Sequence, residues 1–126
     1  MLNLNSIMLG TLQPDVLADF YREMFQKDED MKDSGWHGWS VGSTFFSVGE
    51  HSEVSEQAKD PKRIIFNFET DEVKEEFARI KEIKGAVVDK EPYEMGGAWI
   101  ATMADPDGNY FQLMTPWDNK AEEPKE

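Results

Sequence analysis

The sequence predicts an α+β fold composed of two βαβββ modules. Three observations predict it: the first half runs strand, helix and strands, the second half repeats that order, and both helices carry an apolar stripe at helical spacing. A shift of about 57 residues places segment 16–20 on 73–77 and the strand SIMLGT on RIIFNF. The chain is therefore predicted to be a duplication with loops of unequal length.

The first module begins with a short predicted strand over 4–10. Pro14 and Asp15 suit the start of a helix, since proline fixes a helical φ and an acid complements the positive end of the helix dipole. The stripe that this helix would bury is Val16, Leu17, Phe20, Tyr21, Met24 and Phe25. WHGWSVG and STFFSVGE then predict two strands that meet at Gly42, and the short segment before Trp36 predicts an abbreviated extra strand.

The second module follows a polar loop over 50–62. RIIFNFE alternates its apolar and polar side chains at period two, which predicts a strand. Thr70 is a candidate helix cap and Gly85 a candidate helix end. The predicted buried stripe of this helix is Val73, Phe77, Ile80 and Ile83. AVVDKEPYEM, AWIATMA and NYFQLMTP predict three further strands.

The length of 126 residues predicts one domain over 1–117, with module one at about 3–50, module two at about 63–116 and a flexible acidic tail over 118–126. The net charge of −13 argues against nucleic acid or an anionic membrane surface as a partner, and no apolar run could cross a bilayer. Because the chain has no cysteine and no apolar leader segment, we expect a cytoplasmic protein.

The helix motif DFY and the closing ADPDGNYFQL, in this order of elements, resemble the glyoxalase/bleomycin-resistance/extradiol dioxygenase superfamily, also called vicinal oxygen chelate. The resemblance spans about 4–116. It implies that the two modules form a curved, cup-like mixed sheet with the helices on the outside, and that the protein is a homodimer.

The resemblance also implies four metal-ligand positions inside the cup, where enzymes of this superfamily use His, Gln or Glu. Here those positions carry Ser6, Ser47, Arg63 and Gln112. Hydroxyl and amide groups are poor replacements for imidazole or carboxylate ligands, and a guanidinium has no lone pair to give. We therefore expect no metal and no other cofactor.

Side-chain alternation, applied to those four positions, predicts a mixed polar and apolar cup lining that suits a small-molecule ligand. The predicted ligand contacts are Ser6, Met8, Phe45, Ser47, Arg63, Asn67, Tyr110, Gln112 and Met114. The leading hypothesis is metal-independent binding of an unidentified small molecule, for sequestration or sensing. The alternatives are a glyoxalase-like lyase or isomerase that uses a non-standard site or a metal held by other residues, and a module whose dimer surface is its function. Arg63 would orient an anionic or carbonyl group, or else pair with a neighbouring acid.

The histidines and two of the tryptophans give less specific signals. His51, beside Glu50 and Glu53, is predicted to lie in a solvated turn rather than to bind a metal. His37 is predicted to be half-buried or at a rim rather than a general base. Trp39 and Trp99, placed at equivalent positions of the repeat, predict either stacking surfaces or aromatic packing under a dimer contact.

Overall fold

The α+β fold with two βαβββ modules is confirmed in the computed structural model, which describes residues 1–55, 57 and 59–116. The chain divides into two compact units, Met1–Ala58 and Lys59–Glu126, each with one helix and one four-stranded mixed sheet. The predicted tail over 118–126 lies outside the described residues. No helix in the described part of the chain is long and apolar enough to cross a membrane.

Unit one contains the first helix and the predicted short strand. Its elements are β1 (Ser6–Thr11), α1 (Pro14–Phe25), β2 (Met31–Asp33), β3 (Trp36–Val41) and β4 (Thr44–Glu50). The sheet order is β1-β4-β3-β2, with β1 parallel to β4 and the other pairs antiparallel. The abbreviated strand before Trp36 is therefore confirmed as β2.

The core of unit one is an aromatic cluster between α1 and the sheet. The ring of Tyr21 lies 4.7 Å from that of Phe46, and the ring of Phe25 lies 5.6 Å from that of Trp39, measured between centroids. Leu17 and Phe20 are also buried, as the apolar stripe predicts. Val16, which was predicted to belong to this stripe, is 45% exposed, because it lies beside the buried face rather than on it.

Unit two repeats this order, with nine residues in its second strand where unit one has three. Its elements are β5 (Ile65–Glu69), α2 (Val73–Ile80), β6 (Val87–Met95), β7 (Ala98–Ala104) and β8 (Tyr110–Met114), in the sheet order β5-β8-β7-β6. The N-cap position of α2 is Glu72, and the Thr70 hydroxyl accepts its backbone N–H at 3.0 Å. Thr70 thus shapes the turn before the helix rather than capping it. Turns carry the chain on from Ile80 to Gly85, whose φ of 95° favours glycine.

The predicted stripe of α2 is buried against the sheet of unit two. The residues that form this core are all at most 8% exposed; they are Val73, Phe77, Ile80, Ile83, Ala101, Met103, Phe111 and Leu113. The helical periodicity of the sequence therefore identified the buried face of α2 correctly.

The DPDGN segment forms the predicted turn between β7 and β8. The buried carboxylate of Asp105 accepts backbone N–H bonds from Asp107 at 2.9 Å and from Asn109 at 3.0 Å, while Gly108 has a φ of 84°. An aspartate that binds the backbone a few residues ahead is a usual way to fix a turn. The turn chemistry therefore fixes where β8 begins.

The hydrogen-bond register corrects the predicted repeat offset. When β4 is matched to β8 through Phe46 and Phe111, β1 matches β5 with Ser6 on Ile65 and Met8 on Asn67. Ser6 was predicted to match Arg63, so the predicted shift is too short by two positions. The corrected offset also superimposes the first residues of α1 and α2. The predicted shift matched residue types, whereas the fold matches buried positions.

Candidate ligand-binding faces

The four predicted contacts of unit one lie together on two adjacent strands. Ser6 of β1 pairs with Phe45 of β4, and Met8 pairs with Ser47. Residues that lie opposite each other in a parallel pair project from the same face of the sheet. Met8 is 54% exposed, whereas the intervening Ile7 and Leu9 are less exposed, so this face is the one turned away from α1.

This face of unit one is covered by two aromatic rings resting on glycines. A Cβ at Gly49 would collide with the indole ring of Trp36, and a Cβ at Gly38 would collide with the ring of Phe45. Sequence reasoning missed the role of Trp36. The available signal was a glycine directly across from an aromatic residue on a neighbouring strand, but it becomes visible only once the register is known.

Unit two carries a polar row across all four of its strands, on the face away from α2. Asn67 of β5 pairs with Gln112 of β8, Gln112 with Thr102 of β7, and Thr102 with Lys90 of β6. The Gln112 amide Nε2 donates to the Thr102 hydroxyl at 3.3 Å. Two of these residues, Asn67 and Gln112, were predicted. Thr102 and Lys90 were not, because only cross-strand pairing identifies them.

Much of the hydrogen-bonding capacity of this row is not used by the protein. Within the described residues, the side chains of Asn67 and Lys90 make no hydrogen bond or ion pair, and the Gln112 carbonyl oxygen accepts none. Asn67 and Lys90 are exposed and Gln112 is half-buried. The row can therefore offer amide donors, an amide acceptor and an ammonium group to a ligand.

The two remaining predicted contacts on β8 flank this row. Tyr110 and Met114 have the same strand parity as Gln112 and are half-buried. The Lys62 ammonium lies 5.3 Å from the centroid of the Tyr110 ring and 3.8 Å from the carboxylate of Asp89. The flank therefore adds an aromatic wall with a cation beside it.

Arg63 lies outside β5, in the turn that precedes it. Its guanidinium Nη1 is 3.5 Å from a carboxylate oxygen of Asp60, and its side chain is 78% exposed. This pair is the second of the two roles considered for Arg63. Ile64 also precedes the strand, which begins only at Ile65, and is 68% exposed.

The superfamily's metal does not fit the residues present. In the corrected register the two β5 side chains nearest the predicted position are Ile65 and Asn67, so no side chain of β5 supplies an imidazole or carboxylate at that position. Gln112 contributes one neutral amide oxygen, which alone cannot replace a set of imidazole and carboxylate ligands. Across the described ranges, no three His, Asp or Glu side chains are grouped so that they could hold a metal ion.

His37 is buried, which corrects the prediction of a half-buried or rim position. Its Nδ1 lies 2.5 Å from Glu29 Oε2, and Arg22 donates to the same carboxylate from Nε at 3.1 Å and from Nη2 at 2.7 Å. These Arg22 bonds, with smaller contributions from a backbone N–H and from His37, lower the pKa of Glu29 to about 2.

His51 lies in a turn, as predicted, where its Nδ1 accepts the N–H of Glu53 at 3.2 Å.

Trp39 and Trp99 are not equivalent in the structure. Trp39 is fully buried on the α1 side of its sheet, where its Nε1 donates to the Lys27 carbonyl at 3.1 Å. Trp99 is half-buried, with the Lys74 ammonium 3.9 Å above its ring. The register matches Trp39 to Met103 instead, so the predicted equivalence of Trp39 and Trp99 is wrong.

The comparisons with known proteins agree with the fold. The family model described as a glyoxalase-like domain matches residues 6–114. A glyoxalase-related enzyme from Fulvimarina pelagi is similar, with a TM-score of 0.78 and 16% identity over 92% of this chain and 89% of that one. No curated protein matches the chain.

Two further solved structures are similar at low identity. A glyoxalase/bleomycin resistance protein from Albidiferax ferrireducens T118 has a TM-score of 0.72 and 15% identity over 89% of this chain and 98% of that one. A lactoylglutathione lyase from Agrobacterium tumefaciens has a TM-score of 0.69 and 19% identity over 98% of both chains. At these identities the likeness concerns the fold alone.

Proposed function

Because this chain belongs to the glyoxalase-like domain family, we propose that it binds a small molecule without the superfamily's divalent metal, for sequestration or sensing. The observation that carries the proposal is the polar row of unit two, in which no other described residue engages the Asn67 amide, the Lys90 ammonium or the Gln112 carbonyl oxygen. A binding site needs a few placed polar groups among apolar walls, and Tyr110 and Met114 supply such walls beside the row.

The chemistry of the row favours a ligand with an anionic or carbonyl oxygen group. Lys90 is a cation without a carboxylate partner in the described part of the chain, and Asn67 adds two amide donors. We assign to Lys90 the orienting role that was predicted for Arg63. The pair between Arg63 and Asp60 supports a structural role for that arginine.

The face of unit one is proposed as an apolar contact surface. Met8 and Phe45 are its predicted apolar contacts, and Ser6 and Ser47 place hydroxyl groups beside them. The rings of Trp36 and Phe45 rest on Gly49 and Gly38, so this surface suits a ring or a short alkyl chain.

The test is identification of retained ligand. Protein purified from its own host, with a chelator present throughout, is denatured and the released small molecules are identified by mass spectrometry. We expect a carboxylate or carbonyl compound in the wild type, and its loss in Lys90→Met. Lys84→Met is the matched control, because it removes the same charge from an exposed position after α2. Equal retention by both variants would exclude Lys90 as the anchor, and retention of no compound by the wild type would contradict the proposal.

The metal-free part of the proposal has its own test. Chelator-treated protein is titrated with Ni, Zn, Mn and Fe while the melting temperature is followed. We expect no stoichiometric stabilisation, because the positions that would carry ligands hold hydroxyl, amide and aliphatic groups. Tight binding of one metal per chain would instead favour the alternative, a glyoxalase-like lyase or isomerase with the metal held by other residues.

We further propose that the protein is a cytoplasmic homodimer. The absence of cysteine is compatible with a reducing compartment. Light scattering coupled to size-exclusion chromatography should give a mass of twice that of a single chain. A mass of one chain at micromolar concentration would contradict the dimer.

A further inference from the structure

Unit one contains a cavity of about 670 Å³ on the α1 side of its sheet. Asp15, Asp19 and Arg22 of α1 form one wall, and Asp28 and Glu29 of the following loop form another. Lys32 of β2 and His37 of β3 complete the lining, and these two residues pair directly in the register. We call this space the α1 cavity. It opens on the opposite side of the sheet from Met8 and Phe45, so it is separate from the proposed contact surface of unit one.

The charges around the α1 cavity are not balanced by one another. Arg22 is already engaged, by Asp19 at 2.7 Å and by both carboxylate oxygens of Glu29. Asp28 has no ion pair within the described residues, and Asp15 approaches only His37. The cavity therefore presents two carboxylates, Asp15 and Asp28, with which no described lysine or arginine forms an ion pair.

His37 gives the cavity a buried acceptor. Its side chain is only 6% exposed, and Glu29 holds Nδ1 at 2.5 Å. In the neutral ring this bond keeps the proton on Nδ1 and leaves the lone pair on Nε2. Nε2 lies 3.7 Å from Asp15 Oδ1, too far for a hydrogen bond, and it has no other partner in the described part of the chain. With the ring neutral, two acceptors therefore face each other, and no described residue places a donor between them.

We propose that the α1 cavity binds the protonated amino group of a small organic ligand. An ammonium group carries three donors, and the gap between His37 Nε2 and Asp15 Oδ1 suits one nitrogen that donates to both. Asp28 adds a second unpaired carboxylate to the wall, and the net charge of −13 raises the local concentration of cations.

An organic cation fits this cavity better than a metal ion does. The volume lies within the range of about 300–1,000 Å³ that is usual for small-molecule pockets, far more than a bare ion needs. In addition, no three His, Asp or Glu side chains of the described ranges are arranged to ligate a metal. The remainder of the ligand would occupy the space beside Lys32, which has no ion pair in that part of the chain and could receive an acidic group.

The NMR signals of the imidazole rings report on this site specifically, because the chain has only two histidines and one of them, His37, lines the cavity. We would titrate the protein with butylammonium at constant ionic strength and record the ¹⁵N and ¹³C signals of both imidazole rings. We expect the His37 signals to shift in a saturable way, while those of His51 do not. With 1-butanol and pentanoate, which replace the ammonium by a neutral and an anionic group, we expect no shift of His37.

Two variants with the same net charge distinguish binding at this site from a general attraction of cations to an acidic protein. Asp15→Asn should weaken butylammonium binding by about twofold to fivefold, the range expected for one exposed charge contact. Asp33→Asn is the matched control, because Asp33 lies on β2 next to Lys32 and therefore points to the other face of the sheet. It should leave the dissociation constant unchanged.

Three results would overturn the proposal. One is a titration in which the His37 signals stay fixed or respond equally to 1-butanol. Another is equal weakening by the two variants, which would assign the effect to the overall charge. The third is stoichiometric Zn²⁺ binding at His37 that excludes butylammonium, because the site would then be a metal site.

Discussion

The two units carry different kinds of side chain at register-matched positions of sheets that share one topology. In unit two this row is Asn67, Gln112, Thr102 and Lys90. The register-matched row of unit one is Met8, Ser47, Gly38 and Met31. One row offers amide, hydroxyl and ammonium groups, whereas the other is mostly apolar and has the ring of Phe45 over Gly38. The duplicated sheet fixes positions, and the side chains at those positions decide what a unit can bind.

The difference extends through the sheets to the cores. Unit one fills its core with aromatic rings around Trp39, and unit two places Met103 at the matching position. Trp39→Ala should lower the free energy of unfolding by about 3–5 kcal/mol, because it opens a large cavity and leaves the Lys27 carbonyl without its donor. Urea denaturation followed by circular dichroism measures this loss.

Trp39→Met tests whether the two cores are interchangeable. This variant installs the residue of unit two and should lose less stability than Trp39→Ala, since a flexible thioether fills irregular space. If Trp39→Met were as stable as the wild type, the aromatic core of unit one would have no specific role.

The second contrast is the charged network around the buried Glu29 of unit one, whereas the ion pairs that Lys62, Arg63 and Arg79 make in unit two are partly or largely exposed. Glu29→Gln should lower the free energy of unfolding at pH 7 by about 1.5–3 kcal/mol, because it weakens charge-assisted bonds to Arg22 and His37. Glu76→Gln is the control: its pair with Arg79 is partly exposed and should be worth less than about 1 kcal/mol.

The same network predicts a pH dependence. The pKa of Glu29 is lowered from its ordinary 4.5 to about 2, so the folded state binds this proton less readily than the unfolded state. The stabilisation is therefore complete above pH 4.5 and is lost as the pH falls from 4.5 towards 2. The melting temperature of the wild type should fall more steeply across this window than that of Glu29→Gln. Parallel curves would show that the carboxylate does not contribute.

The third contrast concerns Gly38 and Gly49 of unit one, on which the rings of Phe45 and Trp36 pack. Gly49→Ala should cost about 1–3 kcal/mol, because the new Cβ would collide with the Trp36 ring. In a Trp36→Ala background most of this cost should disappear, which a double-mutant cycle measures. An equal cost in both backgrounds would mean that the strain lies in the backbone rather than against the ring.

The element order could be predicted from the sequence because each element carries its own local signal. The stripe of α2 and the alternation in β8 both depend on residues a few positions apart, and the turn at Asp105 is set by bonds to residues that follow it closely. The repeat offset could not be predicted as well. The pattern of residue types matched Val16 to Val73, but only the latter is buried, and burial depends on contacts that are distant in sequence.

The candidate site could be predicted only in part, for the same physical reason. The alternation of side chains along each strand was enough to place Asn67 and Gln112 on the face away from α2. Thr102 and Lys90 lie beside them only because of cross-strand pairing. The position of Lys90 also depends on register shifts in β6, which no local sequence pattern predicts. The bond between Glu29 and His37 joins a loop to a strand and likewise has no signature in the sequence.

The smallest effect on stability is expected at Arg63, whose match in unit one depends on the offset used to compare the two units. With the predicted offset Arg63 would match Ser6 and face a ligand, whereas with the offset given by the register it lies before β5. Its exposed pair with Asp60 should contribute less than about 0.5 kcal/mol to the free energy of unfolding. Arg63→Ala should therefore leave both the melting temperature and the amount of retained ligand close to wild type, while Lys90→Met loses the ligand. If Arg63→Ala lost the ligand and Lys90→Met kept it, the register-based match of the two units would be wrong for the ligand-binding face, and the predicted role of Arg63 would stand.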